Sequence, residues 1–187
     1  MADSNRPPAR LRRRYFDCRF GQLHVHQAIP AGGGFDEATA LVCLPGAAGL
    51  GGFFQPLLGP LGADRSIYAP DLPGHGQSDP AGMGLAPVPA AVAAVLDLLD
   101  SLRERRVGLL AQAEGVAVAT ALLAERPGLV LCLALSGQGT PGVPPGVPAG
   151  LPVRAFALAE TGAEHISEAV VRAQFTGLAA FLGSAHG

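Results

Sequence analysis

The chain has 187 residues, which is the size of a single domain. Hydrophobic residues make up 49% of it and charged residues only 15%, so an intrinsically disordered chain is excluded. The formal net charge of -2 argues against a protein that binds nucleic acid by neutralising many phosphates. Gly, Pro or charged residues interrupt every apolar stretch well before the roughly 20 residues of a membrane span. We therefore expect no nucleic acid and no membrane among its partners.

The cysteines Cys18, Cys43 and Cys132 are odd in number and widely spaced. They form no CxxC pair and no zinc pattern, and each lies in an apolar stretch where a buried free thiol is usual. Because disulfides belong to oxidising compartments, this pattern favours the reducing cytoplasm. No motif in the sequence requires a cofactor, so none is expected.

Residues 1–13 predict a flexible polar tail, followed by a single domain at 14–187. A basic run, RLRRR at 10–14, stands where the tail meets the domain, and no apolar segment follows it that would make a signal peptide. Such a run is typical of a solvated tail, and an anion-binding arm is the alternative.

Apolar and polar residues alternate from Tyr15 to Ile29 around a turn at Gly21–Gln22, which predicts a hairpin of two strands. A continuous apolar run at 40–44 is typical of a strand buried on both faces of a parallel sheet. The remaining pattern predicts strands at 66–69, 107–110, 129–135 and 153–158, and helices at 53–61, 89–105, 114–125 and 167–182. This alternation predicts an α/β domain with a mostly parallel central sheet and helices on both faces.

Ligands of open α/β sheets bind beyond the carboxyl ends of the strands, so the loops there carry the candidate site. One such loop lies in the segment APDLPGHGQS at Ala69–Ser78. It resembles the loop after the fourth strand in the α/β-hydrolase family, in the branch of esterases and epoxide hydrolases. The resemblance extends from Tyr15 to Leu182. It implies a reduced α/β-hydrolase core and the hydrolysis of a small apolar ester or acyl compound.

The nucleophile elbow of that family, G-x-S-x-G, is a tight turn between a strand and a helix that exposes the attacking serine. The matching pentapeptide here is AQAEG, Ala111–Gly115, so Ala113 occupies the nucleophile position. A methyl group cannot be deprotonated and cannot attack a carbonyl carbon, whereas covalent catalysis needs a nucleophile within reach of a base. We therefore expect a catalytically impaired or inactive protein.

The resemblance also implies the other parts of the site. The two backbone N–H groups of the oxyanion hole would belong to Ala47 and Glu114, although the Glu114 carboxylate would disfavour an anion there. His165 precedes the last predicted helix, where the family has its catalytic base. Glu160 is a weak candidate for the acid of the triad, as is Glu164, and both are typical of solvated loops.

The pocket beside this elbow would be lined by small and apolar residues, which favours a small apolar ligand. Its expected lining residues are Ala47, Ala48, Leu50, Phe53 and Ala113. His75 belongs to the Ala69–Ser78 loop and is expected at the rim of the pocket, in a structural role.

Three further polar residues are weaker candidates. His24 and His26 alternate on the second strand and face the same side, but a metal ion would need further ligands that the sequence does not reveal. We therefore expect no metal site. Ser136 follows a predicted strand and could line the cleft.

Most members of the family carry a cap of helices where this chain has the Gly/Pro loop 138–150. The chain also has one strand between that loop and the last helix, where the family has two, so a cap and an edge strand are expected to be missing. A site without a cap is open to water, which weakens its electrostatic interactions. A shortened sheet edge is suited to a homo-oligomer or to another protein partner.

Four interpretations of the activity stay open at this level. In the first, the chain is a non-catalytic binding or structural module on a hydrolase fold. In the second, it is a hydrolase whose serine was replaced by alanine to trap a substrate. A truncated or designed α/β scaffold is the third interpretation. The fourth is an enzyme that uses His165 as a general base and has no nucleophile.

Overall fold

The computed structural model describes residues 7–32, 38–137, 142–156 and 177–184. The strands are β1 (Arg10–Cys18), β2 (Gly21–Ile29), β3 (Ala38–Leu44), β4 (Arg65–Pro70), β5 (Val107–Gln112), β6 (Val130–Ser136) and β7 (Val153–Phe156). The helices are α1 (Gln55–Leu61), which follows a 3₁₀ turn at Gly51–Phe54, α2 (Pro87–Leu102), α3 (Gly115–Glu125) and α4 (177–184).

The described strands form one sheet in the order β1-β2-β4-β3-β5-β6-β7. β1 and β2 make an antiparallel hairpin, and β2 also pairs antiparallel with β4. The pairs β4–β3, β3–β5, β5–β6 and β6–β7 are all parallel. Parallel neighbours need crossover connections, which explains why helices alternate with these strands. The predicted α/β class with a mostly parallel sheet is confirmed.

Helices cover both faces of the sheet, and the central strands are buried along nearly their whole length. On one face α2 and α3 pack on the sheet through residues such as Leu99 and Leu122. On the other face α1 and α4 pack through Leu57 and Leu178. Fully burying one such side chain stabilises the fold by about 1.5–3 kcal/mol, so continuous apolar runs mark these strands in the sequence.

Two boundaries differ from the prediction. β1 starts at Arg10 and pairs with β2 over its whole length, so residues 10–13 form a strand and not the end of a flexible tail. As an edge strand, β1 is largely exposed and holds a row of arginines without burying their charge. α2 ends at Leu102 because Arg103 adopts a left-handed conformation, with φ of 59°, that closes the helix.

The Gly/Pro loop is described over 142–150, where it forms turns and no helix, and β7 follows it. The expected loss of an edge strand and the start of the closing helix fall at 157–176, outside the described residues. None of the described helices combines the length and the apolar character that crossing a membrane requires.

Candidate functional site

The turn between β5 and α3 has the geometry of a nucleophile elbow. Ala113 lies in the left-handed region, with φ of 45°, which L residues other than glycine rarely adopt. Its N–H donates to the carbonyl oxygen of Ser136 at 3.0 Å. α3 begins two residues later at Gly115, where a Cβ would collide with the carbonyl oxygens of Leu44 and Pro45. The close packing of α3 on the end of β3 therefore enforces the sharp turn.

The residues on either side of Ala113 contact the loop that follows β3. Gln112 Oε1 accepts a hydrogen bond from the Gly46 N–H, and Glu114 Oε2 accepts one from the Ala47 N–H, both at 2.8 Å. A Cβ placed on Gly46 would lie 3.3 Å from the Ala113 Cβ. The elbow and this loop thus meet face to face, and the predicted oxyanion donor of Ala47 is already bound to a carboxylate.

This arrangement offers no attacking atom at the elbow. Ala113 and Glu114 are both exposed, so the methyl group of Ala113 faces the surface. Ser136 ends the neighbouring strand β6, but it is only 1% exposed. Its hydroxyl has no hydrogen-bond partner within the described part of the chain, and a buried neutral hydroxyl without a base is a poor nucleophile.

The expected pocket residues occupy different environments. Ala47 and Ala48 are exposed, and Leu50 is 42% exposed, so these three offer apolar surface beside the elbow. Phe53 is buried in the core on the α1 side, with its ring edge-on to Phe54 at a centroid distance of 5.1 Å. Phe53 therefore offers little surface to a ligand.

His75 supports the turn after β3. Its ring packs against Gly49, which has φ of 63°, so a side chain at Gly49 would have no room. Its Nδ1 lies 3.1 Å from the Pro73 carbonyl oxygen. His165, Glu160 and Glu164 lie outside the described residues, and the roles expected for them stay predictions.

Asp71, which sequence reasoning did not select, connects several elements beneath this site. It is 3% exposed, and its Oδ1 accepts a hydrogen bond from the Gly51 N–H at 2.8 Å. Its Oδ2 accepts one from the Gln77 N–H at 3.1 Å and lies 2.8 Å from His24 Nδ1. A buried carboxylate is costly unless it is paired and hydrogen-bonded, and these partners meet that condition.

The loop after β4 is fastened to β2 by further polar contacts. The Ser78 hydroxyl donates to the Asp71 carbonyl oxygen at 2.7 Å and accepts from the His24 N–H at 2.9 Å. Asp79 Oδ2 accepts from the Gln22 N–H at 2.8 Å. The DLPGHGQSD sequence therefore orders this loop through hydrogen bonds, which explains its Asp and Ser residues.

His26 completes a buried polar cluster with His24 and Asp71. Its Nε2 lies 3.9 Å from Asp71 Oδ1, and its Nδ1 lies 3.3 Å from the Gln55 side-chain nitrogen. Burial lowers the pKa of His26 by more than the Asp71 carboxylate raises it. The sequence already indicated two histidines on one side of β2. The third member was hidden because it lies 47 positions from His24, although it directly follows a buried strand.

Comparison with known proteins agrees with this geometry. A sequence profile described as the alpha/beta hydrolase family matches residues 41–185. An epoxide hydrolase from Vigna radiata superposes with a TM-score of 0.59 at 21% identity, over 72% of this chain and 41% of that one. An alpha/beta hydrolase from Novosphingobium aromaticivorans has a TM-score of 0.59 at 23% identity, over 68% of this chain and 44% of that one. No individual curated protein matches significantly.

The two structural matches show the fold and nothing more, because their sequence identities are low. The chain spans well under half the length of these structures. The family profile, in contrast, covers more than half of the present sequence and includes both the elbow and the loop after β4. The chain therefore belongs to the alpha/beta hydrolase family.

Proposed function

We propose that this chain does not carry out the ester or acyl hydrolysis that its family resemblance implies, and that it acts as a binding module on the hydrolase fold. One observation carries the proposal. The elbow presents the methyl group of Ala113, and the adjacent Glu114 carboxylate takes the hydrogen bond of the Ala47 N–H. Covalent acyl transfer needs an attacking atom and free oxyanion donors, whereas position 113 has no attacking atom and one of the two expected donors is occupied.

The Glu114 carboxylate opposes catalysis in two ways. Its oxygen accepts the hydrogen bond of the Ala47 N–H, which would otherwise stabilise the oxyanion of a tetrahedral intermediate. Its negative charge also repels that oxyanion. Loss of a single oxyanion-hole donor typically lowers kcat by about 10²–10³. A serine at position 113 would therefore meet a second obstacle.

The ligand that this surface favours is small, apolar and not anionic. Ala47, Ala48 and Leu50 provide exposed apolar contacts near the elbow. The exposed Glu114 carboxylate raises the electrostatic cost of bringing an anion to the same place. A neutral ester or acyl compound that is bound and not cleaved satisfies both conditions.

The test is the hydrolysis of p-nitrophenyl butyrate by the unchanged chain, Ala113→Ser, Glu114→Ala and the double variant. We expect the unchanged chain and Glu114→Ala to stay at the background rate, because both lack a nucleophile. Ala113→Ser alone should gain little. The double variant should exceed Ala113→Ser by about tenfold or more, because it also frees the Ala47 N–H.

His165→Ala in the unchanged chain is the control, because the family resemblance places the base at His165. Turnover by the unchanged chain that is lost in His165→Ala would contradict the proposal. Binding is measured separately, by calorimetric titration of the unchanged chain with the uncleaved ester. An unchanged chain that retains none of a broad set of neutral apolar ligands would count against a binding module.

A second candidate is a hydrolase whose serine was replaced by alanine so that it binds substrate without cleaving it. The observation that favours it is the left-handed conformation of Ala113, since the turn keeps the shape that presents a nucleophile. Strong recovery of hydrolysis by Ala113→Ser alone would support this candidate.

We also propose a cytoplasmic location. Cys18, Cys43 and Cys132 are all free thiols, and two of them are buried. Free thiols persist in a reducing compartment, which supports the location that the cysteine spacing predicts.

A further inference from the structure

We propose that His24, His26 and Asp71 form a binding site for a divalent transition-metal ion such as Zn²⁺, separate from the elbow. Each residue offers one ligand atom, and these atoms all lie within 4.8 Å of one another. The three residues are 2%, 8% and 3% exposed, respectively. In the part of the chain that the structure describes, no other three His, Cys, Asp or Glu side chains lie close enough to share an ion.

The donor atoms favour zinc over the common alkaline-earth ions. Several zinc sites have three protein ligands, of which two are imidazole nitrogens and one is a carboxylate oxygen. Ca²⁺ and Mg²⁺ instead prefer shells of oxygen atoms. Ligand atoms at about 2.0–2.1 Å from a tetrahedral Zn²⁺ lie roughly 3.4 Å from each other. His24 Nδ1 is 2.8 Å from Asp71 Oδ2, and His26 Nε2 is 3.9 Å from Asp71 Oδ1. These two separations lie on either side of the tetrahedral value.

The backbone holds the three ligands in place. β2 carries His24 and His26 two positions apart, so both side chains lie on the same face of the sheet. β2 pairs with β4, which ends at Pro70 directly before Asp71. The register of these two strands therefore brings the carboxylate to the two imidazoles.

Contacts from outside the cluster orient its members further. The N–H groups of Gly51 and Gln77 hold the Asp71 carboxylate. In metal sites such outer contacts fix the orientation of the ligands and contribute to affinity. Asp71 thus has the kind of outer contacts that fix a metal ligand in place.

One member of the cluster, His26, borders a cleft between β1 and α1. The cleft has a volume of about 360 Å³ and includes His26 in its wall. Its other lining residues are Leu11, Arg12, Arg13, Gln55 and Leu58. The positive charges of Arg12 and Arg13 repel a free cation in this cleft and favour an anion beside a bound one.

The first test is a calorimetric titration of the metal-stripped full chain with Zn²⁺. We expect one ion per chain for the unchanged protein and for His75→Gln, and at least about tenfold weaker binding for His26→Gln. His26 lies at the edge of the cluster, and Gln keeps a side chain of similar length. His75 is the matched control, because it is a half-buried histidine that contacts Pro73 and lies outside the cluster.

A second test uses the unchanged protein alone, so it does not depend on the folding of a variant. In NMR spectra of protein with ¹⁵N-labelled histidine rings, we expect Zn²⁺ to shift the signals of His24 and His26 and to leave His75 unchanged. The proposal is overturned by absence of zinc binding, by equal affinity in a folded His26→Gln variant, or by shifts confined to other histidines. Neither test involves hydrolysis, so its outcome is independent of the function proposed for the elbow.

Discussion

Ala113 has a left-handed backbone conformation at the turn between β5 and α3. A left-handed φ costs an L residue roughly 1–2 kcal/mol, and the surrounding structure imposes it at Ala113. The hydrogen bond to Ser136 and the close packing of Gly115 on β3 hold the turn in place. Contacts of the backbone with the neighbouring strands therefore hold the shape of this turn.

We predict that Ala113→Gly stabilises the protein by about 0.5–1 kcal/mol. Glycine adopts a positive φ without a steric cost, and this gain exceeds the entropy that glycine adds to the unfolded chain. Ala117→Gly is the matched control: Ala117 is exposed in the first turn of α3, where glycine should cost up to about 1 kcal/mol. The free energies of unfolding come from urea titrations. Equal destabilisation by both substitutions would show that position 113 is not strained.

At the scale of elements, one ion pair ties the β1–β2 hairpin to α2. Arg19 lies in the hairpin turn and donates from its side chain to both carboxylate oxygens of Asp97, at 2.9 and 2.8 Å. The Arg19 backbone N–H adds a third hydrogen bond at 2.8 Å. The side-chain hydrogen bonds from Arg19 lower the pKa of Asp97 by more than burial raises it.

The Asp97→Asn substitution should destabilise the protein in a pH-dependent way. Because the pKa of Asp97 is lower in the folded protein than in the unfolded chain, the stabilisation is present above the unfolded value near 3.8. It is lost as the pH falls through the folded value. The Arg19 side chain is 58% exposed, so solvent screening limits the effect at neutral pH to about 1 kcal/mol or less.

Urea titrations across the acid range measure this effect. The stability difference between Asp97→Asn and the unchanged chain should shrink as the pH falls from about 3.8 through the folded pKa of Asp97. Glu125→Gln is the control, because Glu125 is an exposed residue at the end of α3 and outside this ion pair. A stability difference that stays constant with pH would rule out the ion pair as its cause.

For the whole molecule, helices on both faces exclude solvent from the middle of the sheet. Cys43 in β3 and Cys132 in β6 are buried there. Burial raises the pKa of both thiols, to about 11 for Cys132. Cys18, at the end of the edge strand β1, is only partly buried.

We predict that a thiol reagent labels Cys18 in the native protein and labels Cys43 and Cys132 only when the sheet opens. The thiolate is the reacting species, so a buried thiol with a raised pKa reacts slowly. If opening requires global unfolding, the two buried thiols should react at least about 10³-fold more slowly than Cys18. Mass spectrometry of the labelled protein follows each site, and Cys18→Ser should remove the fast phase. Rapid labelling of Cys43 would contradict a closed sheet.

Local patterns predicted most of the elements, because burial leaves a periodic signal in the sequence. The apolar run at 40–44 lies within β3, and the alternation after Gly21 lies in β2. The start of β1 at Arg10 left no such signal, since an exposed edge strand needs no apolar residues. The left-handed Arg103 that ends α2 lies next to charged residues that could equally have continued the helix.

Residues that lie close together in the chain already specify the α/β fold class and the position of Ala113 between a strand and a helix. Only the tertiary structure brought the Glu114 carboxylate to the Ala47 N–H, across 67 positions, and Asp71 to His24, across 47. Contacts over such separations depend on strand order and register, which local periodicity does not encode. The order and register of the strands therefore bring Glu114 to the Ala47 N–H and Asp71 to His24.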